Sequence, residues 1–283
     1  MKLLDGKVAS AAVYSRLHSE IDVLKREYGV TSSLAAVLIG NDDASHRYVR
    51  NKTKKCEELG MNSKTFLLPS DVSYSDMEDL LKQLNRGEYH GVIVQLPLPG
   101  HLDRYQVVDL LDPQKDVDGL TSYNVAGLQR GNALFEPCTP KGILQILDFY
   151  GIDTYGAYVA IVGRGDLVGR PLATMLSRRD RNATVVLCHT GTRDIEHYTR
   201  EADIVVAATN EPFSIKGDMI KDGAVVVDSG IFKDQDRLVG CVDFDSASQK
   251  ASYITPVPGG VGLMTVAALM ENTVKATRIQ IHS

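Results

Sequence analysis

Tyr158-Val159-Ala160-Ile161-Val162-Gly163-Arg164-Gly165-Asp166-Leu167-Val168-Gly169-Arg170-Pro171 reads as a strand, a glycine-rich turn and the start of a helix. Glycines at such a turn let backbone N–H groups approach a pyrophosphate, which then lies on the positive end of the helix. The spacing, G-x-G-x-x-x-G, is one residue longer than the usual dinucleotide fingerprint, and a tight βα turn with no ligand is the alternative. Short β-branched-rich runs continue the series at Thr184–Cys188, Ile204–Ala207 and Ala224–Asp228. The tail from Thr265 to Ile281 is helical by pattern.

The N-terminal half repeats this alternation. Residues 8–28 predict an amphipathic helix, with Val8, Val13, Leu17, Ile21 and Leu24 on one side. Leu34 to Ile39, closed by Gly40, is an apolar run of the kind found in buried parallel strands. A helix then stops at Gly60, a C′ glycine. Thr65–Leu68 predicts a second strand, Asp76–Asn85 a helix and Gly91–Leu96 a third strand. The expected fold class is therefore α/β, with open and mostly parallel sheets flanked by helices. Thr139 is expected as an N-cap with Pro140 at the first helical position, and the domain boundary is placed there.

Composition narrows the function classes. A length of 283 residues fits two medium domains, and 24% charged with 43% apolar residues is ordinary for a globular protein. A net charge of −5 without long basic runs argues against nucleic acid as a partner. The four cysteines, Cys56, Cys138, Cys188 and Cys241, are far apart and form no CxxC pair, so no metal site is expected and a reducing, cytoplasmic setting fits. The first residues are too polar for a signal peptide, and no apolar stretch approaches the roughly 20 residues that span a bilayer, so no membrane partner is expected.

Tyr48 and Lys52, four residues apart, share one face of a helix. An aromatic platform beside an amine can hold a flat ring and move a proton on it; a surface Lys lying over a Tyr is the plainer alternative. Gln95 closes an apolar strand before Leu96-Pro97-Leu98-Pro99, either as an oriented polar group or as a cap for loop backbone. Asp116 and Asp118 flank Val117; one can accept hydrogen bonds from a heterocycle, whereas an Asx-type turn would claim Asp116 more readily. Thr255-Pro256-Val257-Pro258-Gly259-Gly260-Val261-Gly262 suits a loop shaped against a flat ligand, or an interdomain linker. After the strand ending at Cys188, His189-Thr190-Gly191-Thr192-Arg193 carries no carboxylate for ribose hydroxyls. Arg164, Thr190 and Arg193 suit a 2′-phosphate instead, which favours NADP over NAD, unless they are ordinary solvated loop residues.

In this order, Ser45-x-x-Tyr48-x-x-x-Lys52, Val94 to Pro99, Lys115 to Gly119, Pro137 to Pro140, Gly163-Arg164 with Val168 to Pro171, and Thr255 to Gly262 with Met264-Thr265 resemble the methylenetetrahydrofolate dehydrogenase/methenyltetrahydrofolate cyclohydrolase family. The resemblance implies two domains, 1–138 for folate and catalysis, completed by the C-terminal helix 264–283, and a Rossmann-like NADP domain at 139–263. It further implies an active-site cleft between them and a homodimer. The implied chemistry is NADP-dependent oxidation of 5,10-methylene- to 5,10-methenyltetrahydrofolate and hydrolysis to the 10-formyl form. Lys52 would be the general acid/base of hydrolysis, Gln95 its hydrogen-bond partner, Tyr48 the stacking ring and Asp118 the acceptor at the pterin edge. Ser45, Leu96, Pro258 and Gly259 would contact substrate. Gly163, Arg164, Gly165, Val168, Gly169, Thr190, Ile231 and Thr265 would contact the cofactor.

Departures from the family pattern gather in or beside the cofactor half: Gly165-Asp166 where Ser is usual, Asn210 for Gly, Ser229, Phe232, Cys241 for Asp and Leu263 for Pro. An Asp166 carboxylate aimed at a pyrophosphate would repel it. Short-chain dehydrogenases also carry Tyr-x-x-x-Lys, but after their dinucleotide turn, whereas here the pair precedes it by more than a hundred residues. Another two-domain dehydrogenase, acting on shikimate or an amino acid, would explain the turn but not Gln95 and Asp118. A folate-binding protein with a decayed dehydrogenase site is the non-enzyme alternative.

Overall fold

In a computed structural model, which describes residues 1–235 and 237–282, helices and strands alternate along the chain. In order they are β1 (Lys2–Leu3), α1 (Gly6–Tyr28), β2 (Ser33–Ile39), α2 (Asp43–Glu58), β3 (Asn62–Leu68), α3 (Tyr74–Arg86), β4 (Gly91–Val94), α4 (Arg104–Val108), α5 (Ser122–Arg130) and α6 (Cys138–Phe149). There follow β5 (Tyr158–Val162), α7 (Gly169–Ser177), β6 (Thr184–Cys188), α8 (Ile195–Glu201), β7 (Ile204–Ala207), β8 (Val225–Asp228), β9 (Phe232–Asp234), β10 (Arg237–Val239), α9 (Phe244–Ala247), β11 (Tyr253–Ile254) and α10 (Val261–Ile281). The chain divides into two compact units. One joins Met1–Ala11 to Thr139–Thr265, and the other joins Ala12–Cys138 to residues from Val266 onward.

The unit holding Ala12–Cys138 is built on a parallel three-stranded sheet in the order β3-β2-β4. All seven residues of β2 are buried, as an apolar run without polar alternation requires. Ala35, Val37 and Ile39 pack with Met77, Leu81 and Leu84 of α3 into one core. The step β2-α2-β3 leaves β2 on one side and the step β3-α3-β4 returns on the other. The carboxyl end of β2 is therefore a topological switch point, where open α/β sheets bind ligands.

Local signals set α2. The Asp42 carboxylate accepts the Ser45 N–H at 2.8 Å and caps the helix start. At the other end Gly60, with φ +70°, forms the expected C′ turn: its N–H meets the Glu57 carbonyl, and the Met61 N–H reaches back to Cys56.

The other unit carries a six-stranded sheet, β1-β11-β8-β7-β5-β6, in which every neighbouring pair is parallel. β5 lies between β6 and β7, so a second switch point falls at its carboxyl end, where the quoted glycine turn begins. Two details differ from the sequence expectation. Residues 1–11 group with this unit, because Lys2 and Leu3 pair with Tyr253 and Ile254. Thr139 is not an N-cap: α6 starts at Cys138, and the Thr139 hydroxyl lies 3.1 Å from that of Thr265. Among the described residues no helix is long and apolar enough to cross a membrane.

The segment after β4 is held by Asp116, which is buried and accepts bonds from Leu120 N, Thr121 N, Thr121 Oγ1 and Asn124 Nδ2 at 2.8–3.1 Å. Burial pushes the Asp116 carboxyl upward while those bonds pull it down. Asp116→Ala leaves these donors without an acceptor, and is expected to cost about 3 kcal/mol or more, with Asp116→Asn recovering part. Denaturant midpoints of the three proteins check this; an unchanged midpoint for Asp116→Ala contradicts it.

Candidate functional site

β2 and β4 end side by side; β4 leads into Gln95, and β2 leads into α2, which carries Lys52. Gln95 follows β4, and its N–H is bonded to the Val37 carbonyl of β2 at 2.9 Å, so its backbone is fixed by the sheet. α2, which packs against β2 and β3, turns Ser45, Val49, Lys52 and Cys56 inward. Lys52 is only 8% exposed, and its Nζ donates to Gln95 Oε1 at 3.1 Å. Gln95 Nε2 donates to the Leu96 carbonyl at 2.8 Å, which leaves the amide oxygen facing the lysine. Reversing the amide would set its NH₂ against the amine, donor to donor. A buried amine needs an acceptor, and among the described residues Gln95 is the one side chain that supplies it.

Tyr48 stands one turn before Lys52 and is half-buried. Burial pushes its phenol above the usual value, with the Arg47 charge pulling the other way, so at neutral pH it is a neutral ring with a hydroxyl. A tyrosine used as a base, as in the short-chain dehydrogenase alternative, needs the opposite shift. His46 Nε2 lies 3.1 Å from the Gly40 carbonyl and ties the start of α2 to the end of β2.

Asp118 is half-buried in the same unit. A parallel bridge between Asp116 and Val92 carries this segment along β4, toward the end where Gln95 stands. Asp116 is consumed by its own turn, as the Asx reading has it, whereas Asp118 has no hydrogen-bond or ion-pair partner among the described residues. Lys115 was not singled out by sequence: it is buried, and its amine donates to the carbonyls of Leu84 (3.2 Å) and Gly87 (2.7 Å) at the end of α3.

The glycine turn belongs to the other unit. A Cβ on Gly163, whose φ is +120°, would sit 2.0 Å from the Ala208 carbonyl oxygen, and one on Gly169 would sit 1.9 Å from that of Gly163. Both glycines are required by packing. Gly165 has open space where a Cβ would stand; at the start of α7 Val168 offers no side-chain cap, and the Gly165 carbonyl accepts the Arg170 N–H at 3.1 Å. The Asp166 carboxylate is paired with Arg170 at 2.6 Å, four residues on. Thr190 and Arg193 are exposed in the loop after β6. Asp194, the first carboxylate beyond that strand, accepts the His197 N–H as the cap of α8.

Ile231 follows β8 and is exposed. Thr265 lies in α10, its hydroxyl also 3.2 Å from the Val261 carbonyl. Pro258 and Gly259 precede α10, and the Gly259 carbonyl accepts the Gly6 N–H at 2.8 Å. These residues share a unit with the glycine turn, whereas Ser45, Tyr48, Lys52, Gln95, Leu96 and Asp118 share the other. Sequence reasoning also missed Asp228, a buried carboxylate ending β8 that accepts the N–H groups of Gly230, Cys241 and Val242 at 2.8–3.0 Å and shapes the loop between them.

A dinucleotide-type sheet with a blocked glycine turn, joined to a second α/β unit presenting a buried amine, defines a two-domain dehydrogenase-like protein. Residues 4–118 match the family model for the tetrahydrofolate dehydrogenase/cyclohydrolase catalytic domain, and residues 137–281 match that for its NAD(P)-binding domain. The chain belongs to the tetrahydrofolate dehydrogenase/cyclohydrolase family. It is 48% identical over 279 residues to the bifunctional protein FolD of Moorella thermoacetica, covering 98% of this chain and 99% of that protein. Among solved structures it resembles the bifunctional FolD of Campylobacter jejuni (TM-score 0.95, 42% identity, 99% of each chain). It also resembles the Trypanosoma brucei enzyme complexed with NADP and an inhibitor (TM-score 0.93, 36% identity, 99% of this chain and 98% of that one).

The Asp166–Arg170 pair answers the repulsion that Asp166 would otherwise exert. Arg170→Gln is expected to raise the dinucleotide KM by about two- to fivefold at low salt, the range of an exposed ion pair, with kcat retained. Asp166→Asn in that background is expected to restore it. Failure of the second change to restore KM contradicts the assignment.

Proposed function

We propose that this protein oxidises 5,10-methylenetetrahydrofolate with NADP and hydrolyses the resulting methenyl form to 10-formyltetrahydrofolate, serving one-carbon metabolism. The Lys52–Gln95 pair carries this proposal: a sequestered amine with one fixed acceptor retains donor capacity for a substrate. In this reading Tyr48 stacks on the folate ring system, Asp118 accepts hydrogen bonds from the pterin edge, and Ser45 and Leu96 line that pocket.

Oxidation is driven by the nitrogen lone pair beside the methylene carbon and needs no protein acid. When bound, NADP supplies the hydride acceptor, and the protein's work is positioning. Gly163, Arg164, Gly165, Val168 and Gly169 would hold the dinucleotide, with Thr190, Ile231 and Thr265 as further contacts. The fit rests on the blocked glycines and the uncapped start of α7. Preference for NADP is supported by the loop after β6, where Asp194 is spent on a helix cap; Thr190 and Arg193 of that loop, with Arg164 of the glycine turn after β5, would meet a 2′-phosphate.

Hydrolysis does require proton transfer. Water adds to the methenyl carbon, Lys52 takes its proton, and the bond from that carbon to the ring nitrogen breaks as the nitrogen is protonated, leaving the formyl group on its neighbour. Gln95 holds the amine at the reacting carbon. In the same reading the enzyme works as a cytoplasmic homodimer.

Lys52→Met is expected to lower hydrolysis by about 10²–10⁴-fold, the usual share of a general acid/base, and to damage oxidation less. Following NADPH and methenyl absorbance as purified protein meets methylenetetrahydrofolate with NADP or NAD measures both steps and the preference. Equal loss of both activities in a folded Lys52→Met protein contradicts the division of roles. Absence of any turnover in the wild type contradicts the function.

A further inference from the structure

Asp228 ends β8 with its side chain only 3% exposed. Its Oδ1 accepts the Gly230 and Cys241 N–H groups at 2.9 and 3.0 Å, and its Oδ2 accepts that of Val242 at 2.8 Å. Its own N–H donates to the Thr255 hydroxyl oxygen at 2.7 Å. The chain makes room for the carboxylate with a glycine, since a Cβ on Gly240 would stand 1.9 Å from Oδ2. Burial pushes the carboxyl upward, while the N–H groups of Val242, Cys241 and Gly230 pull it down. Both oxygens accept and neither donates among the described residues, the pattern of an ionised carboxylate. No Lys, Arg or His is paired with it among those residues.

A buried charge without a counter-charge is costly, and pinning a loop does not by itself require one. The place of Asp228 in the sheet points to what could complement it. β8 is separated from β5 by β7, on the side away from β6. With the pyrophosphate on the glycine turn after β5 and the 2′-phosphate beside the loop after β6, the other half of a dinucleotide runs across the ends of β7 and β8. Ile231, exposed and proposed to touch the cofactor, comes three residues after Asp228. The nicotinamide ring of that half is a cation when oxidised and neutral when reduced. We propose that Asp228 selects the oxidised cofactor: its buried charge holds the cationic nicotinamide of NADP⁺ more tightly than the neutral ring of NADPH. The proposal rests on the cofactor reading above, and it makes the reduced product the weaker ligand, which favours release after oxidation. A buried carboxylate is screened little by salt, unlike contacts made by the exposed Arg193.

The test is a pair of binding titrations on the full-length protein, without folate, at about 50 mM and about 0.5 M salt. NADPH binding is read by NADPH fluorescence, and NADP⁺ binding by displacement of NADPH. Wild type is expected to bind NADP⁺ about three- to tenfold more tightly than NADPH in both salts, from one charge pair in a partly solvated site. Asp228→Asn and Asp228→Ser remove the charge while leaving an acceptor, and each is expected to bring the two Kd values together, chiefly by weakening NADP⁺. Glu196→Gln removes an exposed carboxylate paired with Arg200 on α8, controls for net charge and is expected to keep the wild-type ratio. A role confined to shaping the loop would move both Kd values alike, so an unchanged ratio in either folded Asp228 variant overturns the proposal. Equal affinities, tighter NADPH, or a ratio that collapses at high salt in the wild type overturn it even if neither variant folds. Failure of the wild type to bind either dinucleotide overturns the cofactor reading as well.

Discussion

A lysine amine shut away from water is the constraint on which the catalytic unit turns. Removing a charged or strongly polar donor from solvent is costly unless an acceptor is built beside it. Here the acceptor comes from a different element: Lys52 on α2 and Gln95 at the end of β4 meet because β2 lies between β3 and β4 in a parallel sheet. The same arrangement explains why both crossover helices are needed. Without α3 leading the chain back past β2, Gln95 would not stand next to the carboxyl end from which α2 departs. The Asp42 cap and the Gly60 turn then fix the length and phase of α2, so that Lys52 faces in and Arg47 faces out.

The second unit solves a different problem with the same topology. Its glycines are not interchangeable with small side chains, because the carbonyls of Ala208 and Gly163 occupy the positions their Cβ atoms would need. Charge is managed locally: Asp166 leans on Arg170, and Asp194 and Asp228 are each absorbed by backbone N–H groups. The first two keep negative charge from the helix start and the end of β6, where the cofactor's phosphates are proposed to lie.

Much of this was legible in the sequence, and the exceptions share a cause. Leu34–Ile39, Gly91–Val94 and Tyr158–Val162 announce themselves as buried strands because parallel sheets covered on both faces tolerate no polar alternation. Gly60 and the Tyr48–Lys52 spacing are local signals, and Gln95 was conspicuous as an amide ending an apolar run. What escaped notice depends on partners distant in sequence. A two-residue strand at Lys2–Leu3 has meaning only against Tyr253–Ile254. Lys115 is structural because the end of α3 lies beneath it, and Asp228 because the chain returns to it at Cys241 and Val242. Thr139 had the composition of a cap, but its hydroxyl lies beside that of Thr265, 126 residues away.

The central claim is that Gln95 makes Lys52 competent by fixing it. The most direct measurement is the pH–rate profile of methenyltetrahydrofolate hydrolysis for wild type and Gln95→Leu, with Lys52 left in place. Loss of the amide oxygen is expected to depress hydrolysis across the profile and to displace its limb, while oxidation of methylenetetrahydrofolate falls less. A Gln95→Leu protein that hydrolyses at the wild-type rate with an unmoved profile would contradict it.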